Sequence, residues 1–241
     1  MTCFFNLIGR FGNLLFIYAH ARAYCERNGY ELCIPPWVGE SIFSIPHANR
    51  TPADRCDRVM PEDTHQRQDS LIYTRKEVRQ WLQIRPEILE QLRPVLKDRK
   101  PILLDHRRGD DYIGAGLVSL GALCYVDAVV EKGYRMEDCE WEIDTAPTRL
   151  PYFTGDVTAS GLNTTWVSLP AFYRMMTAQV HFRANSTFSW WAATLGSAKI
   201  YAPLLLGIRG GVPDSYAPFV EGNWPVMANN FPNTNLHLRE Q

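Results

Sequence analysis

The sequence lacks an excess of charge of either sign and lacks long apolar runs. Its 241 residues contain 25 Lys and Arg against 26 Asp and Glu, a formal net charge of −1. A protein that binds nucleic acid is expected to be more basic than this. No run approaches the roughly 18 apolar residues that cross a bilayer. We therefore expect neither a nucleic-acid partner nor a membrane span.

Signals for export and for metal binding are also missing. The first fifteen residues are apolar, but Asn6 and Arg10 interrupt them and no basic region precedes them, so they do not resemble a signal peptide. The histidines form no HxxxH or HExxH pattern, and the cysteines form no CxxC pair and fit no zinc spacing. We expect a soluble cytoplasmic protein without a metal site and with its cysteines reduced and buried. The six cysteines are Cys3, Cys25, Cys33, Cys56, Cys124 and Cys139.

Strand and helix signals alternate along the chain, which is typical of α/β proteins. The pattern predicts strands at 3–8, 30–34, 101–104, 151–154, 180–183 and 199–202. It predicts helices at 13–27, 76–96 (broken near Pro86), 124–132, 170–177 and 187–195. The stretch 39–69 and the tail from Gly207 are expected to be loops. The charged stretch 92–101 contains two prolines and indicates a domain junction.

Two adjacent arginines, Arg107 and Arg108, follow the apolar strand predicted at 101–104 and precede a glycine. Guanidinium groups bind phosphate oxygens in pairs, and ligands of open α/β sheets bind at the carboxyl ends of the strands. The pair therefore fits an anion site. It also fits a surface turn in which Asp110 and Asp111 neutralise the two arginines, and the local sequence does not decide between these interpretations.

A glycine-containing turn with Gly9 and Gly12 connects the first predicted strand to the first helix. Such a turn presents backbone N–H groups that suit an anion or a sugar hydroxyl. Taken alone, the turn is better explained as a tight connection with Asn13 as the N-cap. The turn is not GxGxxG, and no acidic residue follows the second strand in the expected place, which argues against a nicotinamide site.

Residues 185–191 read Asn-Ser-Thr-Phe-Ser-Trp-Trp at the start of a predicted helix. The hydroxyls of Ser186, Thr187 and Ser189 suit either helix capping or donation to phosphate oxygens. Because two adjacent tryptophans cannot face the same way on a helix, we expect one in the core and the other beside a pocket.

One further acidic residue, Asp156, follows the strand predicted at 151–154. At a strand end, an aspartate either forms a turn or accepts hydrogen bonds from a base or a sugar. Both interpretations stay open for Asp156.

These segments, in this order, resemble the fucosyltransferase superfamily, and most closely the family that includes the α-1,2-fucosyltransferases. That family has a GGxGN-type turn, an HxRRGD motif and an NSTFSWW motif. The third motif is matched residue for residue at 185–191, and the first two are matched at Gly9, Gly12 and Asn13 and at residues 107–110. The resemblance extends from Phe4 to about Pro203, and residues 152–156 resemble the family's middle strand ending in Asp.

The chain departs from the family pattern at three places. Asp105 stands where the HxRRGD motif has its histidine, and His106 is displaced by one position. Arg10 replaces the usual second glycine and Leu14 the usual glutamine. In the resembling enzymes the motif histidine lies near the nucleotide base, so Asp105 leaves the identity of the donor open.

The resemblance implies two Rossmann-like domains of the GT-B type in a compact form. Residues 1–98 would form the acceptor side, and residues 99–241 would bind the nucleotide sugar. The implied activity is an inverting, metal-independent and cofactor-free glycosyltransferase, with GDP-fucose as the first choice of donor and a glycan hydroxyl as acceptor. The alternatives are another GDP- or UDP-sugar, or a non-catalytic nucleotide-sugar-binding module. A sugar epimerase would need a redox-cofactor fingerprint that the glycine turn does not provide.

The resemblance also implies a role for each group of residues. Without a metal, guanidinium groups and backbone dipoles must stabilise the charge that grows on the departing diphosphate. Arg107 and Arg108 would bind the diphosphate, and Asn185, Ser186 and Thr187 would assist at the start of the following helix.

The base and the sugar would be bound elsewhere. Asp156 would contact the nucleotide base, and the turn at 9–13 would border the sugar or the acceptor. Deprotonation of the acceptor hydroxyl needs a carboxylate or a histidine within reach. That residue stays open among four candidates, which are Asp105, His106, Asp110 and Asp111.

Overall fold

A computed structural model describes residues 1–46, 48–63, 71–107, 118–144, 169–184, 186–205, 208–209, 212–213 and 216–222. These residues form seven α-helices and ten strands, and two of the sheets are built on parallel strands. The prediction of an α/β protein is confirmed at this level. The described residues divide into two compact units, one from 1–94 and the other from 95–144 and 170–222.

The first unit is built on a three-stranded parallel sheet. Its order is β2–β1–β3, with β1 (Thr2–Phe4), β2 (Glu31–Cys33) and β3 (Arg58–Val59). The helices of this unit are α1 (Phe11–Asn28), α2 (Gly39–Ile42), α3 (Arg75–Trp81) and α4 (Pro86–Leu92). The prediction of loop for the stretch 39–69 is wrong at three places, since α2, β3 and one turn of 3-10 helix, Ala53–Arg55, lie within it. Strand β3 forms there because it pairs in parallel with β1, a partner that is distant in sequence.

Helix α1 is buried along most of its length, and it begins earlier than its sequence pattern predicts. Arg10 precedes its first turn, and the backbone N–H of Asn13 donates to the Arg10 carbonyl at 2.8 Å. Asn13 therefore lies inside the helix, and its interpretation as the N-cap is wrong. The helix ends at Gly29, whose φ of 68° is the left-handed conformation that glycine adopts readily.

Local capping explains the two helices that replace the predicted helix at 76–96. Thr74 and Glu77 form a capping box at the start of α3, because each side chain accepts from the backbone N–H of the other residue. Pro86 is at the first position of α4, where its missing N–H is tolerated. The predicted break near Pro86 is confirmed.

The second unit is built on a five-stranded sheet. Its strands are β4 (Ile102–Arg107), β5 (Cys139–Asp144), β6 (Val180–Phe182), β7 (Lys199–Leu205) and β10 (Tyr216–Glu221). They lie in the order β10–β7–β6–β4–β5, with β4 to β7 paired in parallel and β10 paired antiparallel with β7. A separate two-stranded ribbon joins β8 (Ile208–Arg209) to β9 (Val212–Pro213).

The helices of this unit are α5 (Val118–Glu131), α6 (Leu169–Thr177) and α7 (Thr187–Leu195). One turn of 3-10 helix, Met136–Asp138, accompanies them, and another, Arg93–Leu96, spans the boundary between the two units in the chain. Strands β4, β6 and β7 and helices α6 and α7 occur where the sequence predicted them, while α5 begins at Val118, before its predicted start at 124. Strand β5 was not predicted. The expectation of loop for the tail from Gly207 is wrong for β8, β9 and β10, which form by antiparallel pairing. The strand predicted at 151–154 lies outside the described residues.

The two faces of the β4–β6 region contact different helices. Successive side chains of a strand point to opposite faces, and Ile102 and Leu104 pack with Tyr125 and Val129 of α5 in one hydrophobic cluster. On the other face, the buried side chain of Asp105 contacts Ser189 of α7. The carboxyl end of β4 is therefore covered by helices on both sides.

The described cysteines are free thiols. Cys3, Cys25, Cys33 and Cys139 are buried and Cys56 is partly exposed. Desolvation by burial raises the pKa values of both Cys25 and Cys33 to about 12, so these thiols stay protonated at neutral pH. Within the described part of the chain, no helix combines the length and the apolar character that crossing a membrane requires.

Candidate functional site

The parallel sheet carries Arg107 to its carboxyl edge. Arg107 is the last residue of β4, and its Cα is paired with that of Asp144, the last residue of β5. Asp105 and His106 lie within β4 and not in a turn. For His106 and Arg107 the structure describes the backbone only, and the other predicted site residues outside the described ranges are Arg108, Asp110, Asp111, Asp156 and Asn185. The choice between an anion site and an ion-pair turn thus stays open.

The start of α7 is capped by its own serine. Ser186 is the N-cap in an extended conformation, with φ −143°, and its Oγ accepts from the Ser189 backbone N–H at 3.1 Å. Thr187 is the first residue of the helix. Capping by a serine hydroxyl is the local reason why α7 begins where it does.

Asp105 joins the end of β4 to the start of α7. Its side chain is completely buried, and its Oδ2 accepts from the Ala184 backbone N–H at 3.3 Å and from the Ser189 hydroxyl. The Ser189 Oγ is in turn 2.8 Å from the Oγ of Ser186. A hydrogen-bonded path therefore leads from the carboxylate on β4 to the N-cap of α7.

The backbone of Asp105 is held from the opposite face. The Tyr125 hydroxyl donates to the Asp105 carbonyl oxygen at 2.6 Å and lies 3.4 Å from the carbonyl oxygen of Arg183. A base that deprotonates an acceptor hydroxyl must be within hydrogen-bond reach of it. The burial of Asp105 does not fit that role, because its carboxylate faces the protein interior.

Two further ionisable groups are buried near Asp105. The Nε2 of His181 lies 3.8 Å from the Asp105 Oδ2, a distance longer than a hydrogen bond and an ion pair only when His181 is protonated. Desolvation lowers the pKa of His181, although the Asp105 carboxylate partly opposes this effect. Desolvation also lowers the pKa of Arg183 to about 10, so that Arg183 stays charged at neutral pH.

Sequence reasoning missed Glu142, whose Cα is the partner of Asp105 in β5. Desolvation raises the pKa of Glu142, and the neighbouring charge of Asp105 raises it further. The pKa of Glu140, two residues earlier, is lowered: desolvation raises it, but hydrogen bonds from the Arg99 side chain and the Lys100 backbone outweigh that effect. The alternation Cys-Glu-Trp-Glu-Ile-Asp from Cys139 to Asp144 is a period-2 signal that identifies this strand.

The glycine turn belongs to the first unit. Gly9 has a φ of 87°, and a Cβ atom at this position would lie 2.5 Å from the side-chain nitrogen of Asn13. Gly12 is buried within the first turn of α1. Gly9 therefore lies close against Asn13, and both its conformation and its small size favour glycine at position 9.

The two tryptophans of the Asn-Ser-Thr-Phe-Ser-Trp-Trp segment are both buried. Trp190 is 1% and Trp191 0% exposed, and their rings pack edge to face with centroids 5.1 Å apart. The prediction of a tryptophan in the core is confirmed, and a pocket beside the other stays a prediction. Phe188 packs edge to face on Phe172 of α6, so this helix contributes a core face as well as a capped end.

The site is thus the carboxyl edge of a parallel sheet, where the last residues of β4 meet the first turn of α7. Within the described ranges, no group of three or more His, Cys, Asp or Glu side chains is arranged to hold a metal ion. Comparisons of the chain with protein-family models, with the curated proteins and with solved structures found no match.

Proposed function

We propose that the chain is an inverting, metal-independent glycosyltransferase of the fucosyltransferase type. It transfers a sugar, with fucose from GDP-fucose as the first choice, to the hydroxyl of a glycan. The single observation that carries the proposal is the hydrogen bond between Asp105 and Ser189. It joins the HxRRGD-like segment to the NSTFSWW segment, two of the three motifs that carry the resemblance, at the edge of the sheet where ligands of α/β proteins bind.

The proposed architecture is two Rossmann-like domains of the GT-B type. The acceptor side is residues 1–98 and the nucleotide-sugar side is residues 99–241. A parallel sheet in each unit and a unit boundary between Pro94 and Val95 support this assignment.

The chemistry requires positive potential where the donor's diphosphate departs. In an inverting transfer, the acceptor oxygen bonds to the anomeric carbon as the bond from that carbon to the diphosphate breaks on the opposite face. Negative charge grows on the diphosphate during this step. Arg107 and Arg108 meet that charge with their guanidinium groups, and the N-terminal turn of α7 adds the positive end of its helix dipole. Ser186 and Thr187 lie at that end of the helix.

The proton of the acceptor hydroxyl passes to a base near the same edge. His106, Asp110 and Asp111 stay candidates from the sequence, and the structure supports adding Glu142. Glu142 is only partly buried, and desolvation raises its pKa, which makes its carboxylate a stronger base than an exposed glutamate. A pH–rate profile on single variants identifies the base, because its loss removes one limb of the profile.

A second candidate function is a nucleotide-sugar-binding module without turnover. The burial of Asp105 favours it, because the residue in the place of the motif histidine is engaged inside the protein. Such a module binds the donor through the same edge of the sheet but lacks a base in contact with an acceptor.

Calorimetry with GDP-fucose, another GDP-sugar and a UDP-sugar tests the proposal. The glycosyltransferase account predicts saturable binding of one donor and slow release of its nucleoside diphosphate even without acceptor. Binding without any release, also in the presence of an acceptor glycan panel, indicates the binding module. Absence of binding for all three donors contradicts both functions.

A further inference from the structure

Asp105 occupies a position that suggests contact with a ligand, yet its surroundings are entirely internal. It lies two residues before the end of β4, and its side chain is 0% exposed. An ionised carboxylate is stable in such a place only when donors and opposite charges compensate for the lost water. The groups that contact the Asp105 carboxylate therefore indicate its structural role.

Two donors to the carboxylate come from the connection between β6 and α7 and from the first turn of α7. The Ala184 N–H donates at 3.3 Å, and the Ser189 hydroxyl donates directly. The negative charge also lies near the positive end of the α7 dipole, which stabilises a carboxylate there. These interactions draw the start of α7 towards β4.

Titratable groups on the neighbouring elements face the same interior. Arg183, the residue after β6, is buried and charged, while burial lowers the pKa of His181 on β6 and favours its neutral form. On α6, Arg174 is 3% exposed and pairs with Glu140 of β5 at 3.3 Å. On β5, Glu142 is the partner of Asp105 in the sheet. The positive charges of the arginines offset the carboxylates, so the ionised form of Asp105 is tolerated inside the unit.

We infer that Asp105 is a positioning residue that fixes the N-terminal turn of α7 beside the carboxyl end of β4. It acts on the donor only through the groups that it orients, which are Ser186, Thr187 and the end of β4 that contains Arg107. This inference rests on the proposed function, because the groups so oriented are those assigned to the diphosphate. Asp105 stands where the motif has its histidine, but on this inference it does not contact the donor. Instead it supports the turn that binds the phosphates.

The test compares four variants with the wild-type chain. Asp105→Ala removes both accepted hydrogen bonds, and Ser189→Ala removes one. Asp105→Asn keeps a side-chain oxygen that accepts from both donors. Ile102→Ala is the matched control, because Ile102 is a buried residue of the same strand that packs on the α5 face.

The first readout is amide hydrogen exchange, which needs no ligand. Asp105→Ala and Ser189→Ala should accelerate exchange at the amides of Ser189 and Trp190, which donate to the Ser186 side chain and carbonyl. Ile102→Ala and Asp105→Asn should leave these two amides close to wild type. Unchanged exchange in both Asp105→Ala and Ser189→Ala overturns the inference.

The second readout is GDP affinity by calorimetry, at a temperature where thermal unfolding shows every variant folded. Asp105→Ala should bind GDP about tenfold more weakly or worse, Ser189→Ala should fall between it and wild type, and Asp105→Asn should restore most of the affinity. Ile102→Ala should lose stability without losing affinity, which separates positioning from general destabilisation. Wild-type affinity in folded Asp105→Ala overturns the inference. If the wild-type chain binds neither GDP nor a nucleotide sugar, the proposed function fails, and hydrogen exchange still decides whether Asp105 fixes the turn.

Discussion

Asp105 and Ser189 are hydrogen-bonded in the interior of the second unit, although they are 84 residues apart in the chain. One lies in the strand that leads to the arginine pair and the other in the first turn of α7. The contact places the two motif-bearing segments at one edge of the sheet. It also makes specific predictions about stability, since both partners are buried.

Replacing Ser189 by alanine should destabilise the protein more than replacing the N-cap Ser186. Ser189→Ala removes a hydrogen bond to a buried carboxylate, and a bond to a charged group contributes about 1.5–3 kcal/mol. Ser186→Ala removes a helix cap, which contributes about 1 kcal/mol. The free energy of unfolding from urea denaturation measures both. A smaller loss for Ser189→Ala than for Ser186→Ala contradicts the assigned hydrogen bond.

His181 should make the protein less stable at mildly acidic pH. Its pKa in the fold is lowered from the ordinary value of 6.5, first by desolvation and also by the charges of Arg183 and Arg174. Below pH 6.5 the unfolded chain gains a proton that the folded chain does not yet bind, so the free energy of unfolding falls as the pH decreases through this range. Above pH 6.5 both states are neutral and the contribution is constant.

Urea denaturation at pH 7.5 and pH 5.5 tests this for the wild-type chain and His181→Gln. The wild-type chain should lose more stability between the two pH values than the variant does, because glutamine does not titrate. Contributions from other groups are shared by both proteins and cancel in the difference. Equal losses would show that His181 is not held neutral by the fold.

Glu142 and Glu140 should respond to pH in opposite directions. The raised pKa of Glu142 means that the fold favours its protonated form, so its contribution to stability is present at low pH and is lost as the pH rises from 4.5 through the folded pKa. Glu142→Gln mimics the protonated form and should therefore gain stability relative to wild type between pH 4 and pH 7. Glu140 has a lowered pKa and stabilises the fold when ionised, so Glu140→Gln should lose stability over the same interval. Thermal unfolding at the two pH values measures both variants, and a shift of the same sign in both refutes the prediction.

Two glycines with positive φ provide a matched pair in the first unit. Gly9→Ala should destabilise more than Gly29→Ala, since the new Cβ at position 9 would lie 2.5 Å from the Asn13 side chain while nothing lies within 4 Å at position 29. The left-handed conformation alone costs an ordinary residue about 1–2 kcal/mol, and both variants share that cost. The difference between their unfolding free energies therefore reports the packing of Asn13 against the turn. If Gly9→Ala and Gly29→Ala lower the free energy of unfolding equally, the Asn13 side chain moves aside at no cost and the prediction is wrong.

Elements defined by local signals were predictable from the sequence. The run 101–104 and the capped segment from 187 occur as β4 and α7 because apolar periodicity and a serine cap act over a few residues. The ends of the elements depend on partners that are distant in sequence. β4 extends to Arg107 because β5 pairs with it over its whole length. Asp105 therefore lies in a strand and not in a turn.

The features that sequence reasoning missed depend on contacts between segments that are distant in sequence. β10 contains a proline and follows a Gly-rich stretch, and it forms an edge strand by antiparallel pairing with β7. Glu142 is an ordinary acidic residue until β5 places it beside Asp105. The burial of both Trp190 and Trp191 has the same origin, because the core on more than one side of α7 accommodates them. None of these contacts can be predicted from the residues that are adjacent in the sequence.

The most direct test of the central proposal is the binding and turnover of GDP-fucose by the wild-type chain, Arg107→Ala and Arg108→Ala. The proposal predicts that the wild-type chain binds and turns over the donor. Each variant should unfold at an unchanged temperature and lose about a hundredfold or more in turnover, because one donor to the developing charge contributes roughly 3 kcal/mol. Near-wild-type turnover in both variants would contradict the assignment of the arginine pair to the diphosphate.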